Sequence, residues 1–419
     1  PELQATVEMT DAYREEIEAA LAEEPVNDVH AEIQQKLQEE YDAYLASGSA
    51  TLFDSPEWHA LQTWIGGDRV GRLELIYTLT SNALDGLEWV EGMGYEIQDR
   101  IGQGSGSLYP RTHFSVLPNT WGIIKAFIEN LETYDNVTIV YETTANELIM
   151  EDGRVTGVKA AAKDGTEVTF SASNAVILAT GGFAGNVEMR QEYCEGEKWP
   201  DLGPSLNTTN VASVTGDGIR MAEAIGASLI DMDQIQLLHI TNPKTGISGD
   251  ASVPQSTAGY ILVNQEGNRF VREDGRRDEI SQAIMAQTGG YSWLIQSADI
   301  ITDPDTQTTT LGQTITYMLE NHLADYTRAD TLEELAEAIG VPYENLQAAI
   351  DDYNAHVASG EADEFGRVLL VNKLETGPWY AFTRAPAAHH TMGGVEIDTE
   401  AHVLSTEGSI IPGLFAAGE

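Results

Sequence analysis

The sequence predicts an α/β fold in which an α/β body is interrupted by an α+β insertion, and three observations carry that prediction. Two apolar runs end in small residues, "AVILATGG" at 175–182 and "GLFAAGE" at 413–419, as buried strands of a parallel sheet do. Between them "VTGDGIRMAEAIGASLI" has helical spacing and is launched by a Thr-Gly-Asp-Gly turn. From about residue 240 to 385 the chain changes character, and strand-like segments return from about His389.

In chain order, residues 8–48 read as acidic helices with few breakers, "DAYREEIEAALAEEP" and "DVHAEIQQKLQEEYDAYLASG". Helical spacing continues through "RVGRLELIYTLTSNALDGLEWVEGMG", which ends on glycine. A Gly/Ser loop, "GQGSGS", and the helix "PNTWGIIKAFIENLE" follow. The character shifts at Asn136: "NVTIVYETTANELIMEDGRVTGVKAAAKDGTEVTF" alternates β-branched and polar residues around Asp-Gly turns, predicting a strand and then a β-meander. The insertion contains the strand "GYILVNQEGNRFV", a charged "REDGRRDEIS" and the helices "TLEELAEAIGV" and "PYENLQAAIDDYNAHVASG". "VEIDTEAHVL" and "GLFAAGE" close the chain as strands. No internal repeat or low-complexity linker interrupts this order.

Bulk composition excludes several function classes. The chain has 419 residues, 22 basic against 67 acidic, for a formal charge of −45, which disfavours nucleic acid and anionic membranes as partners. No apolar run approaches the ~18 residues of a membrane span. The lone cysteine, Cys194, permits neither an intrachain disulfide nor a thiolate metal cluster. The first residue is proline and the last follows an apolar run directly, so both ends read as cut and set no compartment.

The chemistry concentrates where glycines do. Singly, a strand-end glycine pair marks a tight turn; together, "ATGG", "TGDG", "HHTMGG" at 389–394 and "AAGE" predict one extended ligand lying across a sheet. "GQGSGS" follows a helix and does not count as a dinucleotide fingerprint. In "HHTMGG", neighbouring side chains on an extended strand point to opposite faces, so His389 and His390 are expected to serve different neighbours. Adjacent histidines suit no common metal spacing. Arg276 and Arg277 by themselves read as surface partners of Glu273, Asp274 and Asp278.

"NAVILATGGFAGN", "TGDGIRMAEAIGA", "VNQEGNRFV", "RRDEIS", "HHTMGGVEIDTEAHVL" and "IPGLFAAGE" occur in the order and spacing of the fumarate reductase/flavocytochrome c flavoprotein family, which the chain resembles from about 110 to 419. Its relatives include urocanate and other 2-enoate reductases, succinate dehydrogenase flavoproteins and 3-ketosteroid dehydrogenases. The resemblance implies an FAD-binding Rossmann-like flavin domain, incomplete here, with an inserted α+β capping domain. The corresponding boundaries are 1–238 for the first part of the flavin domain, 239–387 for the cap and 388–419 for the returning part. It also implies an FAD-dependent ene-reductase of anaerobic respiration that passes hydride from flavin N5 to the C=C bond of an unsaturated acid. The electrons come from a donor domain or protein, with FMN or haem as its carrier.

By the same resemblance, Arg277 matches the family's arginine proton donor, with Asp278 or solvent to reprotonate it. His389 matches the histidine of the substrate carboxylate, and His390 the one beside the flavin. His239 in "QLLHIT" resembles, one residue out of step, a second substrate histidine. Ala145 falls where the backbone receives adenine. Thr180, Gly181, Gly182, Asp217 and Glu419 match FAD-lining positions, with Glu419 at the ribityl or pyrophosphate region. Gly393 and Gly394 leave room near the flavin ring.

The chain departs from the family pattern ahead of "VNQEGNRF". Fumarate reductases carry a Thr-Glu pair and an arginine three residues on; this chain has Ser252, Val253 and Ser256. Valine cannot grip a carboxylate or relay a proton, so Ser252 remains as a substrate contact and fumarate is disfavoured. An enoate with an apolar far end fits better, with Tyr260 and Trp379 as expected walls. The alternatives are a 3-ketosteroid-type dehydrogenase, which needs tyrosine acids and bases, and a non-catalytic flavin-binding subunit.

Overall fold

The computed structural model describes residues 7–102, 109–117, 121–251 and 259–419. The chain divides into two compact units, Pro1–Ile139 and Val140–Glu419. The division falls close to the change of character at Asn136.

The first unit is mainly helical: α1 Asp11–Ala22, α2 Asp28–Ser47, α3 Pro56–Gly66, α4 Leu73–Glu91, a hairpin of β1 Ile97–Gly102 with β2 Thr112–Ser115, and α5 Trp121–Leu131. The starts of the first three helices are encoded locally. Thr10, Asn27 and Ser55 each accept a backbone N–H from the first turn, and Pro56 follows Ser55 where no N–H is needed. Gly48 ends α2 in the left-handed conformation at φ 66°. Ile17, Ile33, Leu37, Trp58, Leu61, Trp64 and Tyr109 form the core. The β1–β2 hairpin was not legible in the sequence, because the glycine-rich stretch dominates its reading.

The second unit holds every candidate site residue. Its meander, β3 Thr143–Glu151, β4 Arg154–Ala162 and β5 Glu167–Ser171, turns at Asp152-Gly153, where both residues have positive φ (49° and 77°) as a two-residue hairpin requires. β6 Val176–Leu178 leads into a short helix, α6 Val187–Met189, whose continuation Arg190–Cys194 is π-helical. Next come α7 Asp217–Ala224, β7 Leu229–Ile230 and β8 Ile235–Thr241. The chain continues with β9 Ile261–Val263, α8 Arg277–Met285, β10 Ser292–Ser297, α9 Ile315–Glu320, β11 Thr327–Ala329, α10 Leu332–Ile339 and α11 Tyr343–Ser359. β12 Trp379–Thr391, β13 Gly394–Val395, β14 His402–Leu404 and β15 Ile410–Ala416 complete the chain.

β12 organises this unit. Its first half pairs with β10 and β11, its second half with β8, and β10 also pairs with β9. Side chains alternate between two cores, so the sheet is buried on both faces. Ile261, Val263, Trp293, Ile295, Trp379 and Ala381 face Leu335, Leu346 and Ile350 of α10 and α11. Leu262, Leu294, Tyr380 and Phe382 face Ile280 and Ile284 of α8 and Met318 of α9. β6 runs parallel to β15, and β14 pairs antiparallel on β15's other side.

The boundaries read at 239 and 387 lie within β8 and β12. Two expectations change. Residues 137–141 do not form the expected strand: Val137, Ile139, Val140 and Tyr141 are exposed and outside any ladder. A strand needs a partner edge, and alternation alone does not supply one. "AVILATGG" contributes only three strand residues, and Ile177 is 68% exposed, so this strand is buried on one face. Among the described residues no helix is long and apolar enough to cross a membrane.

Candidate active site

Arg277 begins α8, and Arg276 precedes it as the N-cap. The two arginines part ways there. Arg276 takes the ion pair with Asp278, Nε to Oδ1 at 3.1 Å, and Lys198 takes the other carboxylate oxygen at 2.7 Å. Arg277 turns toward β8, where its Nη1 donates to Gln236 Oε1 at 2.6 Å. The surface-pair reading therefore holds for Arg276. Asp278 is engaged by Lys198 and Arg276.

Gln236 stands opposite His390 in the β8–β12 ladder. The register reads Ala388 against Leu237 and then His390 against Gln236, so His389 is one residue too many. Such a β-bulge re-aims a side chain. The two imidazoles lie with centroids 5.9 Å apart and planes at 64°, edge to face. This overturns the alternation argument for "HHTMGG": the rings are neighbours, because the bulge cancels the strand's two-residue period.

Burial and the Arg277 cation set the charge state here. Burial pushes the His389 pKa down to about 4, with Arg277 and then His390 adding to the shift. His239 on β8 is 2% exposed, and burial followed by Arg277 pushes it down to about 3. Neither ring nitrogen of His239 has a hydrogen-bond partner among the described residues. Burying such a group unpaired costs about 1–3 kcal/mol, so a ligand oxygen there would relieve a standing deficit. Burial also lowers the pKa of Arg277 itself.

A pH dependence follows. His389 has a folded pKa below its unfolded value of about 6.5, so protonation favours the unfolded chain. The stability associated with a neutral His389 is complete above pH ~6.5 and is lost as pH falls toward about 4, by ~3 kcal/mol in total. Urea unfolding at pH 7.5, 5.5 and 4.5 is expected to show a shallower decline in His389→Gln than in the unaltered protein. Parallel declines would contradict this.

Beyond His390 the strand ties into a second cluster. Thr391 Oγ1 accepts the Phe183 N–H at 3.2 Å, and Thr391 donates its own N–H to Glu419 Oε1 at 2.9 Å. A Cβ on Gly182 would lie 2.0 Å from Thr391 Oγ1 and 2.4 Å from Glu419 Oε1, so only glycine fits. Gly182 accepts the Gly216 N–H at 3.0 Å, and a Cβ on Gly218 would meet Thr180 Oγ1 at 2.1 Å. Thr180, Gly181, Gly182, Asp217 and Glu419 therefore gather where β6 and β15 end and α7 begins. Ala145 packs against the core beneath, with Leu178 and Ala416.

Other expectations fare differently. Gly393 is required because a Cβ there would lie 2.2 Å from the Asp231 carbonyl oxygen, whereas nothing lies within 4 Å of one at Gly394. Tyr260 and Trp379 belong to two separate hydrophobic cores and are not walls of this site. Ser252, Val253 and Ser256 lie outside the described residues. Gln236, Thr209, Asn210 and Thr391 were missed. Gln236 opens the very "QLLHIT" motif from which only the histidine was taken, and Thr209-Asn210 close a polar "NTTN" run just ahead of "TGDG".

Parallel strands ending at glycines, a helix starting beside them, and imidazoles on one strand pair with a guanidinium from the adjoining helix α8 define a dinucleotide-type oxidoreductase fold. The model for the FAD binding domain family matches residues 41–419, and the chain belongs to that family, with FAD as its cofactor. It is 36% identical over 397 residues to the NADH:acrylate oxidoreductase of Vibrio harveyi, covering 91% of this chain and 38% of that protein. It is 34% identical over 373 residues to the urocanate reductase of Eggerthella lenta, covering 87% and 59%. The structure is similar to the open conformation of a flavocytochrome c3 fumarate reductase, with a TM-score of 0.70 at 30% identity over 90% of this chain and 63% of that one. A 3-ketosteroid-delta4-(5alpha)-dehydrogenase from Rhodococcus jostii RHA1 shares the fold, with a TM-score of 0.62 at 24% identity. The chain thus spans well under two thirds of the curated relatives named here. The strand ends suit a flat cofactor: Thr180 and Asp217 are exposed, and a Cβ at Gly394 or Gly418 would meet nothing within 4 Å.

Proposed function

We propose that the full-length protein reduces the C=C bond of an unsaturated carboxylic acid, with Arg277 as proton donor. Bound FAD supplies the hydride. Thr180, Gly181, Gly182, Asp217, Ala145, His390 and Glu419 hold the cofactor, and the segment 239–387 acts as the cap that brings Arg277 to it. The electrons reach it from a donor domain or protein.

The observation that carries this reading is geometric: Arg277 is held on Gln236, which pairs with His390 in the β8–β12 ladder, beside His239 on β8 and His389 on β12, whose imidazoles burial and then the Arg277 charge keep neutral. A cation beside two neutral imidazoles suits a carboxylate: His389 and His239 donate to its oxygens, and Arg277 adds charge complementarity. Drawing electron density toward the carboxylate stabilises the charge that develops at the α-carbon. Arg277 then delivers a proton to that carbon. An ordinary arginine is a poor acid, with a pKa above about 12, but burial makes this one more acidic, and Gln236 fixes its direction.

The names of the two relatives, acrylate and urocanate reductases, support acids other than fumarate, as does Val253 in place of a carboxylate-binding residue. Reduced full-length enzyme should be mixed anaerobically with acrylate, cinnamate, urocanate and fumarate while flavin reoxidation is followed. Faster reoxidation by a monocarboxylic enoate than by fumarate is expected. A flavin that no enoate reoxidises sinks the proposal.

A further inference from the structure

We infer that Thr209 is a positioning residue that holds His389 in a single tautomer, with its proton on Nε2, and so makes this site selective for acids. The inference rests on the placement of His389 against substrate proposed above. Thr209 Oγ1 lies 2.8 Å from His389 Nδ1. The hydroxyl proton has no other acceptor among the described residues, and a neutral imidazole has one nitrogen able to accept it. When Thr209 donates to Nδ1, the ring's own proton sits on Nε2. Nε2 has no partner among the described residues and is a donor for a carboxylate oxygen. In the opposite tautomer a lone pair would face that oxygen and repel it. His389 is neutral at ordinary pH, so the tautomer decides whether the ring attracts or rejects an acid.

The surrounding bonds show that Thr209 is placed rather than incidental. Residues 207–210 run alongside the bulge of β12. Asn207 accepts the Ala388 N–H at 2.9 Å, and Thr209 N–H and Thr208 Oγ1 both donate to the Ala388 carbonyl, at 3.0 and 2.9 Å. Asn210 Nδ2 donates to the His389 carbonyl at 2.6 Å. The segment is clamped from behind by Arg190, which is 2% exposed and has no carboxylate partner among the described residues. Its guanidinium donates to the carbonyls of Ala184, Gly203, Leu206 and Asn207 at 3.1–3.5 Å. A buried cation bonded only to carbonyls is expensive to keep, and what it secures is the loop that delivers Thr209.

The test uses full-length holoenzyme labelled with 15N-histidine, with the His389 signals assigned by their loss in His389→Gln. Long-range proton–nitrogen correlation is expected to show Nε2 protonated and Nδ1 unprotonated and hydrogen-bonded. Thr209→Val should shift the Nδ1 signal to that of an unbonded nitrogen, and Thr209→Ser should restore it. In turnover, Thr209→Val should raise KM for the enoate about tenfold and lower kcat as well, since the donor that binds the carboxylate also stabilises the charge developing beside it. A wild-type His389 protonated on Nδ1 overturns the inference, whether or not the valine variant folds. So do ring nitrogen signals that are the same in Thr209→Val as in wild type. The nitrogen signals do not depend on turnover, so inactivity with every enoate overturns only the functional proposal.

Discussion

Arg277→Gln in the full-length enzyme is expected to lower kcat for enoate reduction by about 10²–10⁴-fold, the range for removing a positioned proton donor, with flavin content unchanged. Glutamine keeps a polar head near Gln236 but has no acidic proton of comparable strength and no charge. The same variant carries an internal control. The guanidinium contributes to the depressed pKa values of both His239 and His389, so removing it should raise both, which NMR titration can follow independently of turnover. Arg277→Lys should rescue little, because a lysine cannot reproduce the planar fork that reaches Gln236 while facing two imidazoles. A kcat within threefold of wild type, with normal flavin content, would show that the proton comes from another group.

Much of the architecture could be read from sequence where local chemistry and tertiary demand agree. The Asp152-Gly153 turn needs positive φ at both positions, and the α7, α10 and α11 segments carry their own start or stop signals, such as the Thr331–Glu334 capping box and Gly340. Residues 137–141 show the opposite case, since β-branched alternation describes a candidate strand but cannot name its partner. A change of character near residues 240 and 385 was legible. The continuity of β8 and β12 across it was not, because register is a relation between segments about 150 residues apart.

The site divides in the same way. Arg277, His389 and His239 could be picked out because motifs are linear, and the structure brings them together. Gln236 and Thr209 could not, because their importance lies in one hydrogen bond each, to residues 41 and 180 positions away. The bulge at His389 depends on pairing with Gln236, so the strict alternation rule failed there for a structural reason. The place where a regular pattern breaks is also where the candidate chemistry sits.

Glu273→Gln is expected to cost about 3–5 kcal/mol of stability, the range for removing one partner from a buried ionic network. Glu273 is fully buried, and its carboxylate accepts the Leu262 N–H at 3.0 Å, Arg269 Nε and Nη2 at 3.1 and 2.8 Å, and Arg367 Nη1 at 2.8 Å. Asp363 is a further carboxylate on Arg269, 2.6 Å from its Nη2. Burial works against the Arg269 charge, yet the bonds to Glu273 and Asp363 outweigh it and raise its pKa. Glutamine has nearly the same shape but turns an amide N–H₂ toward one of the two guanidinium groups and removes the carboxylate that Arg269 and Arg367 share. The consequence reaches the site, because Glu273 and Asp274 anchor the turn that ends at Arg277. Asp274 Oδ2 accepts the Val368 and Leu369 N–H groups at 2.9 Å each. Urea denaturation followed by tryptophan fluorescence should therefore show a lower midpoint for Glu273→Gln. At denaturant-free conditions kcat should fall more than flavin content does, because a loosened turn misaims Arg277 before it disturbs the strand-end glycines. A midpoint unchanged within the precision of the measurement would mean that the network contributes little, and that Arg277 is held by α8 and Gln236 alone.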